Sequence, residues 1–353
     1  KLLKTYPFSG IIDYFEIENG KGLRKKVMPK IDGKFETSLH KINFNIFQKN
    51  GETIIEYFDK VIYHLDEPQA DPAPINVYNI CKDARQKGIK VLLGGTAGDD
   101  LFSGYRRHQA LRFESFFNIT PLFVRKLAKK ISKLLNNKNA TFRRIIKLFS
   151  NIDKNSSERQ FGHFDWIDYD LIKKLFVDDI NFDKHSYFRK LERDLPSGTS
   201  DLNKMLYYEL SSFLVDHNLN YTDKLSMAVG VEVRVPFLDK ELVEFSTKLP
   251  LHLKLNGNET KYILKKVAEK YLPKEVIYRS KTGFGAPVRD WINNDMTPLI
   301  EKYLSKERVE KRSIFKYEEL HKLIQQNKKG EIDVSYSIWA ILAIESWFKQ
   351  FYD

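Results

Sequence analysis

The segment Val91-Leu-Leu-Gly-Gly-Thr-Ala-Gly-Asp-Asp-Leu-Phe-Ser-Gly-Tyr105 constrains this chain more than any other. From Ile89 to Leu93 only Lys90 interrupts an apolar run, the pattern of a short parallel strand buried on both faces. The run gives way to five small residues, with glycines at 94, 95 and 98, and then at once to the acid pair Asp99-Asp100. Gly94, Gly95 and Gly98 carry no side chain to hold an anion away from backbone N–H groups, which is what a phosphate site requires. Carboxylates beside them suit Mg²⁺, a hard cation that takes oxygen ligands. The same pattern also describes a tight strand-to-helix turn with a solvated acid pair, and the segment alone does not separate the two readings.

The first hundred residues read as α/β. Residues 4–8 and 41–46 predict strands, 53–64 and 75–87 helices, and 89–93 a further strand. Strands alternating with helices predict a parallel sheet whose ligand lies beyond the carboxyl ends of the strands, where Gly94 to Asp100 stands. After Tyr105 the pattern is helical almost throughout, broken near 136–140, 153–157, 196–200, 256–258 and 328–330. The expected organisation is a partial α/β nucleotide-binding core over 1–105 and a helical remainder of the same domain over 106–353.

With 353 residues, 42% hydrophobic and 30% charged, the chain can bury a substantial core. No run of about 18 apolar residues is present, so no transmembrane segment is expected. The single Cys81 excludes an internal disulfide and a cysteine-rich zinc site. Its place in the predicted helix 75–87 suits a buried, inert thiol, and a reducing compartment, the cytoplasm, is the consistent location. The chain opens Lys-Leu-Leu-Lys, with neither Met nor the charged-then-apolar pattern of a signal peptide, and reads as a fragment or processed piece.

The formal net charge is +12, and it is unevenly spread. Between Arg106 and Ser150 stand twelve Lys/Arg against the single Glu114. Within that stretch Phe123, Leu127, Ile131 and Leu134 recur at helical spacing, with Arg125, Lys126, Lys129, Lys130 and Lys133 between them. A basic amphipathic helix can lie on an anionic membrane or a nucleic-acid backbone. The commoner arrangement, expected here, packs the apolar stripe inward and leaves the charges in water. No zinc-finger or RNA-binding signature accompanies the charge, so no specific nucleic-acid partner is expected.

Four blocks stand in a telling order. They are Leu65-Asp-Glu-Pro68, the run from Val91, Asp223-Lys-Leu-Ser-Met-Ala228 with Val231-Glu-Val-Arg-Val-Pro-Phe-Leu-Asp239, and Arg279-Ser-Lys-Thr-Gly-Phe284. In order and spacing they resemble the synthetase domain of the glutamine-dependent asparagine synthetases, from roughly residue 4 to the end of the chain. That wider family also includes β-lactam synthetases, lasso-peptide cyclases and amidotransferases associated with surface polysaccharides. The resemblance implies a parallel sheet of the adenine-nucleotide α-hydrolase (PP-loop ATP pyrophosphatase) type, followed by a largely helical C-terminal part. It implies that 223–239 and 279–284 fold back over the nucleotide site. The implied chemistry uses ATP and Mg²⁺ to adenylate a small-molecule carboxylate acceptor, after which ammonia or an amine displaces AMP. Ammonia would come from a glutaminase domain or partner outside this chain, and a homodimer is compatible with the resemblance. Two alternatives stand beside asparagine synthesis: an amidotransferase acting on a sugar carboxylate or peptide, and a non-catalytic relic that serves as a nucleotide-binding interaction protein.

The resemblance assigns roles residue by residue. Asp99 matches the acid that ligates Mg²⁺ on the ATP pyrophosphate, Asp100 stands where the family has Glu, and Gly104 and Tyr105 match the end of that loop. Asp66 and Glu67 match an acidic block near the nucleotide and acceptor; Pro68 argues against a helical Glu67. Lys281 would stabilise charge developing at the α-phosphate, with Arg279 assisting at the pyrophosphate. Lys261 matches a family lysine at the start of a predicted helix over 261–270. Glu232 and Arg234 share one side of an extended segment, either as an ion pair that pins 236–239 or as ligand contacts. Thr96 departs from the pattern. Asparagine synthetases place a Glu there, facing the acceptor and the attacking nitrogen, and threonine cannot act as a carboxylate base near neutral pH. That argues against aspartate as the acceptor. The family's pyrophosphate loop, Ser-Gly-Gly-x-Asp-Ser, has only a chance echo in Ser9-Gly-Ile-Ile-Asp13-Tyr, and the true loop is expected upstream of residue 1.

Overall fold

Ile54, Phe58, Val61, Ile62 and Leu65 fall on one helical stripe, and all are almost fully buried in helix α1, Gly51–Leu65. This is a computed structural model, and it describes residues 34–36, 41–43, 51–135, 140–167, 169–279 and 287–353. The expected strand at 4–8, the Ser9–Asp13 echo, the break at 136–139 and residues 280–286, Lys281 among them, lie outside the described residues. Helix α1 stops at Asp66, whose φ of 61° is left-handed and cannot continue a helix. Helix α2, Ala73–Gln86, starts after Asp71-Pro72. Asp71 Oδ1 accepts from the Ala73 N–H at 2.9 Å, satisfying a donor at the helix start. Cys81 is buried on α2, and burial pushes its thiol up to about 12, so it is inert as expected.

Strand β1, Lys34–Glu36, pairs antiparallel with β2, Lys41–Asn43. Strand β3, Val91–Leu93, pairs parallel with β4, Glu232–Arg234, in the register Val91↔Glu232 to Leu93↔Arg234. This corrects the sequence expectation twice. The strand predicted at 41–46 joins an antiparallel pair, because only residues 37–40 separate it from β1 and a parallel crossover needs a dozen or more. The parallel sheet has two strands among the described residues, and β3 is not buried on both faces: Leu92 is buried, while Val91 and Leu93 are 43% and 36% exposed.

The chain divides into two compact units, 1–105 with 209–287 and 106–208 with 288–353. In the first, β3 leads into a short helix α3, Gly98–Phe102. The later elements of this unit are the π-helix α4, Glu209–Leu219, then α5, Asn220–Met227, β4, α6, Lys240–Lys248, and α7, Tyr262–Ala268. Helix α5 packs on α1 and α2. Ala97, Leu101 and Phe102 form a core with Leu214 of α4, and Phe237, Leu242 and Ile263 close over it. That core fixes α3 at the carboxyl end of β3.

In the second unit Ile338, Trp339 and Leu342 are buried on the helix Ser335–Phe351, with the helix Val288–Asn293 packed against it. A separate aromatic cluster gathers Phe161, Phe164, Phe188 and Tyr208 around Leu191. Glu114 and Arg159 form a buried ion pair at 2.6 Å, to which Ser156 adds a hydroxyl at 3.0 Å. The helix Leu122–Ser132 corrects the expected burial of its stripe: Phe123, Leu127, Ile131 and Leu134 face solvent. The inward side is polar instead. Arg125 Nη1 donates to the Ile152 and Lys154 carbonyls, each at 3.1 Å, and Lys129 Nζ meets Asp153 Oδ1 at 2.8 Å.

Candidate functional site

The site grows from the carboxyl end of β3. The Gly94 N–H extends the ladder by donating to the Arg234 carbonyl at 2.7 Å. A Cβ on Gly94 would meet Val233 Cγ1 at 3.2 Å, and one on Gly98 would meet the Phe237 ring at 3.3 Å. These two glycines therefore let the loop lie close against β4 and Phe237. The left-handed backbone in this loop falls on Ala97, φ 71°, which precedes α3, and on Ser103, φ 62°, which ends it. Gly95 is exposed, and Thr96 is half-buried between it and the buried Ala97.

The two adjacent acids point to different partners. Asp100 is buried, and the Tyr105 hydroxyl donates to its Oδ2 at 3.3 Å. Asp99 is partly exposed, with Oδ1 3.0 Å from Lys261 Nζ. Gly104 makes room for this arrangement, since a Cβ at 104 would collide with Asp99 Oδ1 and Cγ and lie 2.8 Å from Asp99 Cα. Lys261 itself has a left-handed backbone, φ 54°, at the start of α7. Nearby, Lys265 Nζ lies 3.8 Å from Glu259 Oε1, and burial pulls its ammonium below the ordinary lysine value despite that neighbour.

A polar chain runs behind Asp100. Asn218 Nδ2 donates to the Tyr105 hydroxyl at 3.4 Å, and the Tyr221 hydroxyl donates to Asn218 Oδ1 at 3.3 Å. His217 Nδ1 lies 3.0 Å from Asn218 Oδ1, and His217 Nε2 3.1 Å from Asp71 Oδ2. The His217 ring stacks on Phe213 at 4.7 Å. The π-helical winding of α4 carries both, and such winding, uncommon overall, is frequent at functional sites. Asp71 also starts α2, so one carboxylate joins the loop after α1 to the chain of bonds that ends at Asp100. Asp66 is held from a different side: Lys224 Nζ reaches Asp66 Oδ2 at 3.2 Å and the Leu65 carbonyl at 2.7 Å. Glu67 is exposed.

Of the five non-glycine residues with positive φ among the described residues, Ala97, Ser103 and Lys261 lie at this site. Each such residue costs about 1–3 kcal/mol, a strain that folded proteins concentrate where geometry serves a function.

A family model described as asparagine synthase matches residues 37–349. The chain belongs to the asparagine synthase family. Glutamine-hydrolysing asparagine synthetase 1 of Bacillus subtilis (strain 168) is 27% identical over 303 residues, covering 84% of this chain and 46% of that protein. A putative glutamine-hydrolysing asparagine synthetase of Mycobacterium bovis is 25% identical over 84% of this chain and 45% of its own length. Amidase chyE of Penicillium rubens is 22% identical over 76% of this chain and 43% of its own. The chain spans under half the length of these relatives.

Within this member of the asparagine synthase family the structure brings Gly94, Thr96, Gly98, Asp99, Asp100 and Lys261 to the carboxyl end of β3. Glu232 and Arg234 lie on the adjoining β4, but they bind each other: Arg234 Nε donates to Glu232 Oε1 at 2.9 Å. That bond holds the Glu232 carboxyl below its usual range and the Arg234 guanidinium above its own. An ion pair is one of the two arrangements expected for them. Arg279 is half-buried just after the helix Lys274–Ile277, and Lys281 lies outside the described residues. Among the described residues no group of three or more His, Cys, Asp or Glu is placed to hold a metal. Asp99 alone fits Mg²⁺ only as one ligand of several, the rest being phosphate oxygens or water, the usual arrangement for that ion. Sequence reasoning missed Asp71, His217 and Asn218, which carry no local motif and meet only in the fold.

Proposed function

We propose that the protein containing this chain is an ATP-dependent amide-forming synthetase. A carboxylate oxygen of the acceptor attacks the α-phosphorus of ATP and pyrophosphate leaves. Ammonia or an amine then attacks the acyl carbon, loses a proton, and AMP departs. The observation that carries this reading is Asp99, set beside Lys261 at the end of β3 in the space that a glycine at 104 leaves for its carboxylate. An acid and a base held together there suit a phosphate chain with its Mg²⁺: Asp99 would contact the metal and Lys261 a phosphate oxygen. Family membership supports the same chemistry. The buried bonds from Asp71 to Asp100 would keep the loop rigid while the nucleotide is bound. Lys281 and Arg279 would stabilise the charge that develops at the α-phosphate and the pyrophosphate.

A second reading concerns the acceptor. Thr96, half-buried in the loop beside Asp99, offers a hydroxyl where the family's asparagine-forming members would offer a carboxylate. This favours an acceptor other than aspartate, such as a sugar carboxylate or a peptide. The test is pyrophosphate release from ATP by the whole protein against a panel of carboxylates, with ammonia or glutamine supplied. Acceptor-dependent pyrophosphate release with amide formation is expected. Release of phosphate instead of pyrophosphate would overturn the reaction class, and robust asparagine formation would overturn the reading of Thr96.

A further inference from the structure

The helix Leu122–Ser132 turns its apolar stripe to solvent: Phe123 is 74% exposed, Leu127 56%, Ile131 55% and Leu134 82%. Phe116 and Ile119, at 60% and 80%, extend the apolar surface from the preceding helix Glu114–Ile119. Lys126, Lys130 and Lys133 flank the stripe on one side and are all exposed. The opposite side of the helix is committed inward through Arg125 and Lys129, as described above.

We propose that this face docks on the surface of an anionic phospholipid bilayer. The stripe enters the boundary between headgroups and acyl chains, and Lys126, Lys130 and Lys133 meet the headgroup phosphates. The helix of 11 residues spans about 16 Å at 1.5 Å per residue, about half a bilayer core, so it lies along the surface.

Three observations select lipid over other occupants. A nucleic-acid backbone is bound through cations and offers nothing to six outward apolar side chains. A second copy of this chain would set Lys126, Lys130 and Lys133 against their own equivalents, since a two-fold contact repeats the same patch on both sides. Finally, Glu114, the one acid between Arg106 and Ser150, is buried against Arg159, so no carboxylate of that stretch faces an anionic surface.

The experiment is co-sedimentation of the whole protein with phosphatidylcholine vesicles, with and without about a third phosphatidylglycerol. Binding at least ten-fold tighter to the anionic vesicles, weakening with salt, is expected. Phe123→Ser with Leu127→Ser should lower that binding at least ten-fold with net charge unchanged. Lys126→Glu with Lys130→Glu and Lys133→Glu should lower it at least ten-fold as well. All these side chains are exposed, so both variants should keep the native circular dichroism and melting temperature. Soluble glycerophosphoglycerol should not compete, which separates a bilayer from a free phosphate. Any one of four results overturns the proposal: no vesicle binding, full binding by the serine variant, tighter binding to RNA than to vesicles, or a dimer that the serine variant dissociates.

Discussion

Lys261 Nζ lies 3.0 Å from Asp99 Oδ1, and the lysine adopts a left-handed backbone at the position that makes this contact. Both side chains are about a third exposed, where an ion pair contributes at most about 1 kcal/mol. The left-handed conformation of Lys261 costs about 1–3 kcal/mol. The pair therefore adds little to the stability of the fold on balance, and the function proposed above gives it a use. Asp99→Asn should weaken Mg²⁺-dependent ATP binding by about ten-fold or more, through loss of one anionic ligand. Lys261→Gly should relieve the backbone strain, leave the melting temperature unchanged or higher, and still weaken ATP binding. Calorimetry with and without Mg²⁺ checks both; unchanged affinity in Asp99→Asn removes that residue from the site.

Gly104→Ala should reproduce much of the Asp99→Asn defect without touching a charge. The added methyl occupies the place of the Asp99 carboxylate and approaches its backbone, so α3 must shift as well. A destabilisation of about 1–3 kcal/mol, typical of overpacking, should accompany the loss of nucleotide binding. Wild-type ATP affinity in a folded Gly104→Ala protein would show that the position of Asp99 is immaterial.

His217→Phe keeps a ring to stack on Phe213 and removes both nitrogens that link Asp71 to Asn218. The expected loss of stability is about 1–3 kcal/mol, from the polar groups left unpaired. If the chain of bonds positions the loop, turnover should fall more than ATP affinity, and Asp71→Asn should share the defect. A loss of stability alone, with kcat and KM of the folded protein unaltered, would assign the chain a purely structural part.

In the second unit, burial works against a charged His185, but bonds to Asp165 at 2.9 Å and Glu158 at 3.1 Å outweigh it and raise its pKa. For both acids burial likewise acts first and upward, and their bonds to His185, with further bonds to Lys184 for Asp165 and Arg189 for Glu158, hold them below their usual values. The His185 contribution to stability is thus complete below its unfolded value of about 6.5 and is lost as pH rises through the raised folded value. The carboxylate contributions are complete above about 4 and are lost as pH falls through the depressed values. Thermal melts of native and His185→Gln protein should differ most between about pH 4.5 and 6.5 and converge on the alkaline side. A difference that grows above pH 8 would contradict the sign.

Lys281→Ala in the whole protein should lower kcat by about 10²–10³ if the ammonium stabilises charge that appears mainly in the transition state. ATP affinity should change much less. Thr96→Glu should raise activity toward aspartate and impair the native acceptor, as read by pyrophosphate release across the same panel. Full activity in Lys281→Ala would exclude this mechanism.

Helices α1 and α2 were legible because their apolar residues recur at helical spacing, and the end of α1 was marked by Asp66 and Pro68. The loop from Gly94 to Gly104 was legible as a break where small residues run into two acids, a pattern that a phosphate site and a plain strand-to-helix turn share. Its internal division was not: nothing local sends Asp100 inward to Tyr105 and Asp99 outward to Lys261. Strand β4 had a faint signal in the alternation of Val231 and Val233 with Glu232 and Arg234, but its partner is set by distant sequence. The winding of α4 had none, since helical periodicity does not distinguish the π form. Periodicity also gave the stripe on Leu122–Ser132 without its direction, which Asp153 and the carbonyls of Ile152 and Lys154 decide.

The pairing of β3 with β4 has a consequence for how the chain is made. At about 5–20 residues per second, β4 leaves the ribosome roughly seven to thirty seconds after β3, with all of 106–208 made in between. For that interval Leu92 lacks its partner Val233, and the loop carrying Asp99 has no β4, Phe237 or α7 to rest on. The candidate site is therefore a late product of synthesis, assembled only when the chain returns from its excursion through the second unit. A nascent chain halted anywhere in 106–231 would carry the β4-facing edge of β3 unpaired, an edge open to chaperones and to misassembly.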